Sequence, residues 1–72
     1  MWMGVTLVEP DISDRELKTV INTNDIFCMS ENKDNPETTL IVFHAATGKP
    51  NALIKGSYEQ NAKVLFGFNR RL

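Results

Sequence analysis

Apolar residues in this chain fall into short alternating runs separated by clusters of Asn, Asp, Gly and Pro, the pattern of a small strand-rich domain. In "GVTLVE", residues 4–9, Val5 and Leu7 face one way and Thr6 and Val8 the other, which predicts a first strand. Pro10 ends it, because proline removes a ladder donor. "DISDRELKTVI", residues 11–21, supports two readings. Ser13 and Glu16 have capping-box spacing, Ile12 and Leu17 sit where a hydrophobic staple would place them, and Leu17, Val20 and Ile21 share a helical face. "LKTVIN" is also β-branched and ends in a turn, as a strand would. The local signals favour one or two helical turns over residues 13–20 by a small margin.

The stretch "INTNDIFCMSE", residues 21–31, leads through a polar corner into an apolar run. Asn and Asp tolerate tight backbone conformations and bond their own backbone, so Asn22, Asn24 and Asp25 predict a turn between two strands. Ile26 and Cys28 then alternate with Phe27 and Met29 in a strand apolar on both faces, with Cys28 serving as a small hydrophobe. "ENKDNPE" is a polar loop with a turn at Asn35-Pro36. "TTLIVFHAA" is the strongest strand: Leu40 and Val42 face one side and Ile41 and Phe43 the other, as in a central strand covered on both faces. Gly48 turns the chain, and "NALIKG" returns as a short strand. "SYEQNAKVLFGF" closes as a helix, with Ser57 and Gln60 as a capping box, an apolar stripe of Tyr58, Ala62, Leu65 and Phe66, and Gly67 as the stop. The expected fold is one α+β domain over residues 1–72. It is a small antiparallel β-meander of about four strands with a C-terminal helix packed on one face.

Composition narrows the chemistry. A chain of 72 residues buries a small share of its surface and needs a supplement such as a disulfide, a metal or a second subunit. With Cys28 the sole cysteine and His44 the sole histidine, an internal disulfide and a multi-histidine metal site are excluded. Homo-oligomerisation is the supplement left. "MWMGVTLVEP" has no basic segment, and its apolar run is too short for a signal peptide or a membrane span, so a cytoplasmic setting is expected. The net charge of −1 divides into −4 over residues 1–36 and +3 over residues 37–72.

No motif for catalysis or phosphate binding is present, and no cofactor is implied. Cys28 and His44 are the one nucleophile–base pair available, and both read as structural residues. The chain therefore reads as a non-enzyme that docks on another protein through Trp2, Tyr58, Phe68, Arg70 and Arg71, since Trp, Tyr and Arg dominate binding energy. The alternative is a nucleic-acid or nucleotide module whose basic half, with Lys49, Lys55 and Lys63, tracks phosphates.

Ile21-Asn22 and Ile26, then Thr38-Thr39-Leu40, Gly48-Lys49, and Ile54-Lys55 with Ser57-Tyr58-Glu59 form an ordered series across two-thirds of the chain. In these residues the sequence resembles the short β-rich proteins of the flagellar FlbD type and similar small proteins of phages and mobile elements. That resemblance favours a strand over residues 17–22 and implies a regulatory protein, an inhibitor or adaptor of a host machine.

Overall fold

The computed structural model describes residues 1–9 and 15–69. Five strands and a helix follow in order: β1 (Trp2–Glu9), β2 (Arg15–Asn22), β3 (Ile26–Glu31), β4 (Thr38–Phe43), β5 (Ala52–Lys55) and α1 (Tyr58–Asn69). All pairings are antiparallel, in the order β2-β1-β5-β4-β3. The α+β class holds, with five strands where about four were expected. The additional strand is β2, the segment whose capping signals favoured helical turns. Its β-branched residues pair with β1 from Trp2–Asn22 to Glu9–Arg15, and eight paired positions outweigh a marginal local preference.

The two edges of this sheet, β2 and β3, are joined by a single 3-10 turn, Thr23–Asp25. Register makes that short link decisive. Asn22 pairs with Trp2, five residues beyond the Leu7 that opposes Ile54. Ile26 pairs with Phe43, two residues beyond the Ile41 that opposes Ala52. On a flat sheet these corners would lie about 30 Å apart along the strands and about 19 Å across them. Four peptide steps span at most about 14 Å. The sheet must therefore roll into a sheared, partly closed barrel.

The polar corner secures that closure. Asn22 accepts from the Asn24 amide at 3.0 Å and caps the turn, as the sequence predicts. Thr23 donates from its amide to the Met1 carbonyl at 2.8 Å, and the His44 amide donates to the Asp25 carbonyl at 2.8 Å. The turn thus ties the start of β1 to the end of β4. Inside the roll, Met3, Ile21, Ile41 and Ile54 form the buried core, joined by Val5, Leu7, Ile26, Met29 and Phe43.

Two strand readings need correction. β5, not β4, is the middle strand, and β4 buries Thr39 and Ile41 fully while Leu40, Val42 and Phe43 are half-buried. In β3 the strict alternation fails at a bulge between Ile26 and Cys28. The extra residue lets Ile26 and Met29, three apart, both reach the core. It leaves Phe27 and Cys28 exposed, so Cys28 is not the buried hydrophobe expected.

At the C-terminal end the capping box forms as predicted. The Ser57 amide donates to Gln60 Oε1 at 3.1 Å, and the Gln60 amide donates to Ser57 Oγ at 3.2 Å. The helix packs against β3 and β4. Ala62 of the expected stripe is buried, and Tyr58 and Leu65 are half-buried; the Phe66 side chain lies outside what is described. Gly67 does not stop α1, which continues to Asn69, since one glycine costs a helix only about 1 kcal/mol.

Candidate functional site

β1 and β2 carry the most exposed apolar surface of the sheet. Even-numbered residues of β1 and their partners on β2 share the face turned away from the core, which places Trp2, Gly4 and Thr6 beside Asn22, Val20 and Lys18. Trp2 is 65% exposed and Val20, its diagonal neighbour, 63%. Gly4 stands directly opposite Val20, and a Cβ built there would meet nothing within 4 Å. No crowding excludes a side chain at Gly4. Its absence leaves a dip between Trp2 and Thr6. The dip opens into a groove lined by Gly4, Thr6, Lys18 and Val20 on one side and by Lys55 and Gln60 on the other.

The groove exists because β1 and β5 diverge. β1 pairs with β5 at Leu7 and Val8, after which β5 gives way to Gly56 and the start of α1. Gly56 makes this exit with φ 106°, and the Gly56 carbonyl accepts from Thr39 Oγ1 at 2.9 Å. Lys55 crosses the outer face to Glu16 at 2.9 Å. This hydrogen bond and its charge, with a smaller contribution from Glu37, raise the Lys55 pKa above the usual lysine value.

Of the other sequence-derived candidates Lys55 lines this groove, while Tyr58, Lys49 and Lys63 do not. Tyr58 is half-buried and lines a separate hollow with Glu31, Asn32, Pro36 and Thr38. The Phe68 side chain, Arg70 and Arg71 lie outside what is described. Lys49 pairs with Asp25 and sits 5.8 Å from the centroid of the Phe43 ring. Lys55 opposes Thr38 at the other end of β4, so these two lysines stand about 17 Å apart along the strand. Lys63 is exposed on α1. Two of the three lysines thus face carboxylates. His44 is exposed, with its ring edge-on to Phe27 at 5.5 Å. Among the described residues no hydrogen bond joins His44 to Cys28, and no group of three metal-ligating side chains occurs.

Trp2 was legible as a candidate from residue type. Val20, Gly4, Leu17 and Phe27 were not, because their exposure follows from strand register, the bulge and the roll of the sheet. No helix among the described residues is long and apolar enough to cross a membrane. No protein-family model, curated protein or solved structure matches the chain.

Proposed function

We propose that this is a non-catalytic regulatory protein that docks on another protein, as an inhibitor or adaptor, through the outer face of β1 and β2. The observation that carries this reading is the adjacent exposure of Trp2 and Val20 around the dip at Gly4. Scattered exposed apolar residues are ordinary on a monomer. A tryptophan beside a second large apolar side chain, with a hollow for a partner's side chain, is the composition of an interface centre. Lys18 and the Lys55–Glu16 pair supply a polar rim. The exposed, unpaired Cys28 suits a reducing cytoplasm. A phage or mobile-element source and a host machine as target rest on the FlbD-type resemblance. We further read the protein as self-associating, since a chain this short gains stability from a second subunit.

The test is affinity capture from a lysate of the producing cells, comparing the parent with a Trp2→Ser/Val20→Ser variant across a salt series. Both positions are exposed, so the variant keeps its fold. A protein partner held by the parent at high salt and lost by the variant supports the reading. Equal capture by both, or recovery of nucleic acid that salt releases, overturns it.

A further inference from the structure

β2 is an edge of the sheet, and three successive residues on it, Glu16, Leu17 and Lys18, are exposed. Successive strand residues point to opposite faces, so both faces of this segment are open. Leu17 is the telling case. It stands on the core-facing side opposite Leu7 but is 55% exposed, because nothing among the described residues covers this part of β2. An open edge with apolar and uncovered positions is a template for another strand.

We infer that β2 is the surface of self-association, pairing antiparallel with β2 of a second copy about a two-fold axis at Leu17. This rests on the self-association proposed above and specifies its surface. Charge selects the register. With Leu17 opposite Leu17 of the second copy, Glu16 falls opposite Lys18 and Lys18 opposite Glu16, two complementary pairs on the outer face. An axis at Lys18 would set lysine against lysine, and an axis at Glu16 would set glutamate against glutamate. Glu16, already joined to Lys55, then lies between two cations on the same face. The axis runs perpendicular to the sheet, so the outer faces of both copies turn the same way. The two Trp2–Val20 patches share one surface, and docking becomes bivalent.

Sedimentation equilibrium of the full chain over a concentration series tests this. The parent dimerises, while Glu16→Lys and Lys18→Glu, measured singly, each weaken the dimer about tenfold or more by opposing like charges twice. An equimolar mixture of these two variants restores a dimer, because every Lys then faces a Glu. That rescue also shows both variants to be folded. Leu17→Arg stays monomeric with the parent's circular dichroism. Dimers that persist unchanged in both charge variants would move the interface off β2 and leave self-association standing. A parent that remains monomeric throughout would overturn the surface and the self-association together.

Discussion

Asn61 of α1 donates from Nδ2 to Thr39 Oγ1 of β4 at 2.9 Å, and this bond fixes where the helix meets the sheet. Thr39 is fully buried and passes its own hydroxyl hydrogen to the Gly56 carbonyl at 2.9 Å. Asn61 Nδ2 also reaches the carbonyls of Gly56 and Ser57 at 3.1 and 3.2 Å. One amide and one hydroxyl thereby satisfy the backbone where β5 turns into α1. Thr39→Val keeps the shape but removes one acceptor from Asn61 and one of the two donors to the Gly56 carbonyl, and it should cost about 1 kcal/mol in urea unfolding. A double-mutant cycle with Asn61→Ala should show a coupling of about 0.5 kcal/mol or more. Strict additivity would mean that the two side chains act independently.

The core prediction follows burial rather than strand membership. Ile41 and Ile54 are fully buried, whereas Leu40 and Phe43 on the same pair of elements are half-buried or flank the cluster. Ile41→Ala should lower stability by about 2–5 kcal/mol, and Leu40→Ala by clearly less. Equal losses at the two positions would mean that β4 is covered alike on both faces, contrary to the rolled sheet.

Gly56 is the backbone hinge of the groove. Its φ of 106° is strained for any L side chain, and an added Cβ would stand 3.1 Å from Asn61 Nδ2. Gly56→Ala should cost about 1–3 kcal/mol and loosen α1 from the sheet, seen as faster amide exchange in the first turn of the helix. Gly4→Ala meets no neighbour. It should leave the melting temperature nearly unchanged while filling the dip, and so should weaken partner capture.

How far the sequence revealed these features depended on whether their signals are local. The Ser57–Gln60 box, the Asn22 turn bond and the strand from Thr38 to Phe43 are signalled within a few residues, and each appears where expected. β2 carried two competing local codes, and pairing with the preceding strand, β1, decided between them. The bulge after Ile26 left no mark in a run that is apolar throughout. The Trp2–Val20 neighbourhood depends on the β1–β2 register, and no single segment encodes that.

The Lys55–Glu16 pair predicts a dependence on alkaline pH. The folded-state pKa of Lys55 is raised above its unfolded value, chiefly by the hydrogen bond and charge of Glu16. The stabilisation is therefore complete below the ordinary lysine pKa of 10.5 and is lost as pH rises through the higher folded value. Because the pair is exposed, the effect is small and screened by salt. Melting curves of the parent and Lys55→Gln should differ slightly at neutral pH and low salt and converge above the folded pKa. A gap that widens with pH would contradict the sign.

The most direct test of the docking face is the fluorescence of Trp2, the sole tryptophan, measured in the purified protein and again with its captured partner. The exposed position predicts water-like emission and free quenching by acrylamide in the protein alone, with a blue shift and protection in the complex. Emission already blue-shifted and protected in the isolated monomer would place Trp2 inside the fold. Emission unchanged by a bound partner would take the docking site away from β1 and β2.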